Sequence, residues 1–365
     1  MLSKINPLAP KLAFIARGAA AATIRGRVGG DISPVFPSSS GIEPPPLPDR
    51  YAELKGLFTA GRERILVESW ERSLLDLGKE TAVVKMSESD FCLSLFLLFR
   101  VFLKESRAWE RGCVILQAEF RDPASPSKEE MAEIKERGSV VLKNFLLDKE
   151  ALVMKGSLKA HIGRNAWAQA FPAHSPAVYE LYWSPDQRVA RANPSLVASQ
   201  CFVNSLWHSS LTWSPVDTSV VLPYPDCFRI CQPSNAGFAL GAHNDGGSEE
   251  YDSYNADHRF CAKIGLYDRA GSCGVQRSWQ HWLSLSIMSP GERTLLASPL
   301  LKHTTAYTIL RPFFTLSDPP TLTTVPHFPN CFQSTCQECS TTHPHLLSDD
   351  AMTQVPRILR GDYVF

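Results

Sequence analysis

The chain has 365 residues, 44% of them hydrophobic and 20% charged, which is enough apolar material for one large core or a core with a helical annex. Lysine plus arginine equals aspartate plus glutamate at 37 each, so no excess of positive charge is available to hold a nucleic-acid backbone or an anionic membrane surface. Ten cysteines occur without a secretory pattern or a permitted Asn-x-Ser/Thr sequon, which predicts mostly free thiols in a reducing compartment.

Residues 1–32 carry Lys4, Lys11, Arg17, Arg25 and Arg27 with no acidic residue before Asp31 and an alanine-rich middle. That pattern predicts a mitochondrial presequence; the alternative is a disordered basic tail on a cytoplasmic protein. Residues 33–50 hold six prolines and read as a linker. From Tyr51 the spacing of Leu54, Leu57, Phe58, Ile65, Leu66, Trp70, Leu74 and Leu77 predicts amphipathic helices that bury these side chains. The apolar run 91–103 is interrupted by Arg100 and is too short to cross a bilayer, for which about 20 residues are needed, so no transmembrane segment is expected.

Ser127-x-x-Glu130 predicts a capping box, with Gly138 as the left-handed stop of the helix it starts. A short strand from Ser139 to Leu142 and a second helix capped by Asp148 should follow. The mixed helical region is taken as 51–195. Beyond it, short β runs at 218–222, 227–231, 282–287 and 304–314, punctuated by proline, glycine, serine and aspartate, suggest a sandwich or barrel over 196–365. No dinucleotide fingerprint, Walker loop or nucleophile elbow occurs, so those enzyme classes lose their usual support.

His243-x-Asp245 carries chemistry. In an extended strand, side chains at i and i+2 share a face, so an imidazole and a carboxylate can meet one metal ion. Two histidines and one carboxylate on one face of an octahedral ion form the facial triad of non-haem Fe(II) oxygenases, with three positions left for a 2-oxo acid and dioxygen. A bare His-x-Asp is common by chance, and its surroundings give it weight. Arg229 and Gln232, on the preceding run, could face a co-substrate or make an ordinary edge-strand contact. Cys331, Cys336 and Cys339 with His343 and His345 offer a competing reading as a zinc-binding interaction module, against which stand loop thiols.

The blocks VYELYWSP (178–185), NSLWH (204–208), FRICQPS (228–234), FALGAHNDGGS (238–248), TLLASPLLKHTTAYTILRPFF (294–314), HPHL (343–346) and GDYVF (361–365) resemble, in order, the YbiU-like family of fungal and bacterial Fe(II)/2-oxoglutarate oxygenases. The resemblance implies an α+β fold with a double-stranded β-helix (jelly-roll, cupin-like) core behind an N-terminal helical region. It implies His243 and Asp245 as metal ligands, Fe(II) as metal, and 2-oxoglutarate as co-substrate. The implied reaction couples oxidative decarboxylation of that acid to hydroxylation of a small molecule. Three departures accompany it: Ala242 and Asn244 replace expected proline and apolar residues, residues 84–118 look additional, and an aromatic-rich stretch looks absent after Ser248. In the family GDYVF leads into a strand bearing the distal histidine, followed by an arginine for the co-substrate. The expectation is therefore a core incomplete at the C-terminus and either an oxygenase without its third ligand or a catalytically dead remnant of one; His303 followed by Arg311 has similar spacing, but the resemblance places that segment on an earlier strand.

Overall fold

Helix formation around residue 130 follows directly from local hydrogen-bonding chemistry. The Ser127 hydroxyl accepts from the Glu130 amide at 3.1 Å, and the Glu130 carboxylate accepts from the Ser127 amide at 2.9 Å, closing both halves of the capping box. Gly138 ends that helix at φ 70°, its amide donating to the Ile134 carbonyl at 2.8 Å. The computed structural model describes residues 50–88, 114–119, 127–172, 175–214, 217–223, 227–230, 242–243, 254–257, 278–292, 294–315, 321–322, 339, 343, 345–346 and 351–365.

Among the described residues the helices are α1 (Arg50–Thr59), α2 (Glu63–Glu88), α3 (Lys128–Arg137), α4 (Asp148–Arg164), α5 (Pro185–Arg191), α6 (Pro194–Asn204) and α7 (Leu301–Leu310), the last running into a 3-10 turn at Arg311–Phe313. The strands are β1 (Leu116–Glu119), β2 (Val140–Lys143), β3 (Ala170–Phe171), β4 (Val178–Tyr179), β5 (Phe228–Arg229), β6 (Trp282–Leu283), β7 (Leu296–Ala297), β8 (Thr353–Gln354) and β9 (Tyr363–Val364). They form a sheet ordered β1-β2-β9-β6, a sheet ordered β3-β4-β5, and the pair β7-β8. The fold is mixed α+β with small sheets. None of the described helices is long and apolar enough to cross a membrane.

The four-stranded sheet is buried on both faces, because successive side chains on a strand point to opposite sides. Tyr363 and Phe365 enter one cluster with Leu116, Val140, Phe145, Leu196, Val203, Trp207 and Tyr254. Val364 enters the other with Ile115, Val141, Val355 and Ile358. A separate core forms where α2 meets α7: Trp70, Leu77 and Val84 pack with Val114, Leu300, Tyr307, Phe314 and Leu346. There Trp70 stacks on Phe314 at 4.8 Å between centroids and lies 5.2 Å from the Tyr307 ring.

Two glycine- and asparagine-bearing turns hold the middle strand. Asn144 follows β2 at φ 56°, and Gly361 precedes β9 at φ 86°. Between them lies Asp362, whose buried carboxylate accepts from Lys143 Nζ at 2.5 Å, the Asn144 amide at 3.0 Å and the Leu359 amide at 2.7 Å. Lys143 Nζ also donates to the Arg357 carbonyl at 2.9 Å.

Several sequence expectations change. The 304–314 run is helix α7 and its 3-10 turn rather than strand: Leu300, Thr304, Tyr307 and Arg311 are buried at helical spacing, and packing on α2 overrides the β-branched composition. Residues 218–222 form a turn and coil, and the other two runs shrink to β5 and β6. Leu147, not Asp148, is the N-cap of α4, and Glu150 accepts from its amide at 3.1 Å. Leu54, Leu57, Phe58 and Ile65 are exposed, since the buried stripe of α2 runs through Trp70, Leu77 and Val84. Within 84–118, read as additional sequence, Val84, Val114, Ile115 and Leu116 are core residues and β1 pairs in parallel with β2. Residues 1–49, covering the expected presequence and linker, and the apolar run 91–103 lie outside the described residues.

The geometry at Gly361 predicts strict dependence on glycine. A Cβ there would stand 2.1 Å from the Leu146 carbonyl oxygen, on a backbone at φ 86°. Gly361→Ala should cost roughly 3 kcal/mol or more, and Asp362→Ala roughly 3–5 kcal/mol by leaving Lys143 without its counter-charge. Denaturant midpoints of both variants against the parent chain check this.

Candidate functional site

His243 is half-buried, in extended, bridge-forming backbone. Its neighbour Ala242 accepts a 2.7 Å hydrogen bond from the Cys339 amide, so Cys339 lies next to the histidine's own backbone. Asp245, Gln232, Cys331 and Cys336 lie outside the described residues. Arg229 is exposed on β5, in register with Val178 of the three-stranded sheet. Among the described residues no three histidines, cysteines, aspartates or glutamates stand close enough to hold a metal ion together. His303 is half-buried on α7, whereas Arg311 is almost fully buried and donates to the Phe314 carbonyl at 2.7 Å.

Cys339 leads from His243 to a polar group in the α2–α7 core. It packs, partly buried, against the cluster containing Trp70, Tyr307 and Leu346. The Tyr307 hydroxyl lies 3.4 Å from His345 Nδ1, and the His343 ring stands 6.3 Å from the Tyr307 ring between centroids. Arg311 places its guanidinium 6.0 Å from the Trp70 ring centre. Burial pushes the Tyr307 phenol up to about 12, against an opposing pull from Arg311, so it is a neutral hydroxyl at physiological pH. His345 is lowered by partial dehydration and then by the Arg311 charge, which favours the neutral imidazole although much of the residue is exposed.

Sequence reasoning did not single out Tyr307. The available signal was its place inside the 294–314 block, and the structure joins that block to HPHL and, through Cys339, to the His243 segment. Cys339 itself packs partly buried against apolar neighbours.

A second polar group also escaped the sequence reading. Gln200 of α6 is buried, with its side-chain amide nitrogen 3.0 Å from His281 Nε2 and 3.1 Å from the Tyr363 hydroxyl. The His281 ring packs 5.2 Å from Tyr363 and 5.5 Å from Phe365. Burial of that side pulls its pKa down, towards about 4, while the rest of the residue is open to solvent and limits the effect. No periodicity marks Gln200, His281 and Tyr363 as neighbours, since three separate elements bring them together.

The Gig2-like family model matches residues 99–250 and 248–365. The match takes in much of 84–118, leaving only 84–98 of that stretch outside it. The uncharacterised protein YbiU of Escherichia coli K12 is 29% identical over 272 residues, covering 65% of this chain and 62% of YbiU. The chain thus spans about three fifths of that relative's length. The crystal structure of GlcNAc Inducible Gene 2 from Candida albicans superposes with a TM-score of 0.70 at 22% identity, over 88% of this chain and 71% of that one. A Salmonella typhimurium LT2 protein described as "Putative Oxidoreductase" gives 0.66 at 23% identity, over 88% and 79%. At these identities the likeness is one of fold.

His281 predicts a pH dependence of stability. Its folded pKa lies below the value of about 6.5 for the unfolded chain, so its contribution is complete above that value and declines as pH falls towards the folded pKa. His281→Gln, which cannot take up a proton, should flatten the loss of stability between about pH 6.5 and the folded value, measured by denaturant unfolding across that range.

Proposed function

The chain belongs to the Gig2-like family, and from that premise we propose that it is an oxidoreductase of the non-haem Fe(II)/2-oxoglutarate type, hydroxylating a small molecule. The observation that carries the reading is His243 itself: a half-buried imidazole on extended backbone, tied at Ala242 to the Cys339 amide at 2.7 Å. A structural relative described as "Putative Oxidoreductase" supports the same class. The double-stranded β-helix core is part of the proposal, with the described sheets as portions of it.

The donor set fits two corners of an iron site. His243 would supply a nitrogen and Asp245 an oxygen two residues on, a spacing that in an extended strand would put both on one side. Bound Fe(II) with 2-oxoglutarate would supply the activation of dioxygen that no side chain can perform. The protein's part is ligation, orientation and exclusion of water. Arg229 and Gln232 would take the carboxylate of the co-substrate, Arg229 by a charge-assisted pair. The packed Trp70, Tyr307 and Phe314 rings belong to the apolar core against which Cys339, bonded to Ala242, packs.

Anaerobic addition of Fe(II) and 2-oxoglutarate to the purified chain should give a weak visible charge-transfer band. His243→Ala and Asp245→Ala should each lower Fe(II) affinity at least about tenfold, the lower end of what loss of even a supporting contact costs a metal site. A band that persists in both variants would sink the reading. Stoichiometric zinc that survives His243→Ala would instead favour a cysteine site at Cys331, Cys336 and Cys339.

A further inference from the structure

Tyr307 occupies an unusual place: fully buried in one core, yet in polar contact with His345, six residues beyond the Cys339 whose amide bonds to Ala242. Cys339 bonds to Ala242 through its amide and packs its side chain into the Tyr307 cluster. Four residues on, His343 stands against the Tyr307 ring and accepts through its carbonyl the Leu346 amide at 2.9 Å. His345 meets the Tyr307 hydroxyl, and Leu346 is buried among Trp70, Leu77 and Tyr307.

We propose that Tyr307 is a positioning residue for His243: its ring and hydroxyl fasten Cys339, His343, His345 and Leu346 to α7, and the Cys339–Ala242 bond passes that fixed position to the histidine. The physical logic is that of any metal ligand, whose geometry depends on what holds its backbone and ring. A ligand on a short extended segment depends on what holds its backbone in place. Here the rigidity is borrowed from the α2–α7 core, where Tyr307 lies 5.2 Å from Trp70 and cannot shift without disturbing the Trp70–Phe314 stack. Arg311 stands one turn along from Tyr307, its guanidinium held by the Phe314 carbonyl, so the helix end is fixed as well. The hydroxyl carries the polar contacts of Tyr307, to His345 and to Arg311, and Tyr307→Phe removes them while keeping the ring.

The inference rests on the reading of His243 as a metal ligand, and the test separates the two. In Tyr307→Phe the peptide containing Ala242 and His243 should exchange its amide hydrogens faster than in the parent chain, with no metal added. Anaerobic Fe(II) binding should weaken by about threefold or more, within what loss of one hydrogen bond produces. A role confined to core packing would lower the melting temperature while leaving both readouts unchanged, and that result overturns the proposal. If the parent chain itself binds no Fe(II), the functional reading fails. Faster exchange at 242–243 then still upholds the positioning role, and unchanged exchange rejects it. His345→Gln, at an exposed position, repeats the test from the other side of the contact should Tyr307→Phe fold poorly.

Discussion

The buried carboxylate of Asp362 is the point on which the central sheet depends. It ties the end of β2 to the start of β9 by accepting from a lysine and from two backbone amides. Such a charge is costly to bury, and only saturation of its acceptor sites makes the arrangement stable. Next to it, Gly361 donates to the Ser284 carbonyl and accepts from the Leu146 amide, so the same turn fixes β6 and the approach to α4. The local backbone needs a residue without a Cβ at that place, because the Leu146 carbonyl fills the space.

With β9 held in the middle, its alternation distributes side chains to both sides. Tyr363 and Phe365 join an aromatic group in which Trp279 meets Phe365 edge-on at 6.4 Å and Tyr254 lies 5.1 Å from Trp207. The polar tip of Tyr363 then reaches Gln200, with His281 alongside. The α2–α7 core is a separate body of packing, and it is this second core that borders the His243 segment. Sheet stability and the setting of the candidate metal ligand thus rest on different groups of residues.

Some of this was readable before any fold was known. The Ser127 capping box and the Gly138 stop are local chemistry, set by residues three and four apart, and they form as expected. His243 was identified because several ordered blocks surrounded it, not because its spacing with Asp245 is rare. Tyr307, by contrast, looked like one more aromatic in a β-branched run. Its burial comes from α2, more than 200 residues earlier in the chain. GDYVF stood out as a family block, but that its Tyr363–Val364 pair lies between β2 and β6 in the four-stranded sheet was not legible from it.

The sequence by itself determined the capping box and glycine stop of α3, the neutral charge balance and the family to which the chain belongs. These follow from short-range hydrogen bonding, composition and ordered motifs, which need no knowledge of what lies across the molecule. Tertiary structure alone decided that 301–310 is helical, that Gly361 and Asp362 fix the central strand, and that Cys339 joins the Tyr307 core to Ala242 beside His243. Each of these depends on contacts between residues far apart in the chain. Packing and buried hydrogen bonds there outweigh the preferences that a local stretch expresses alone.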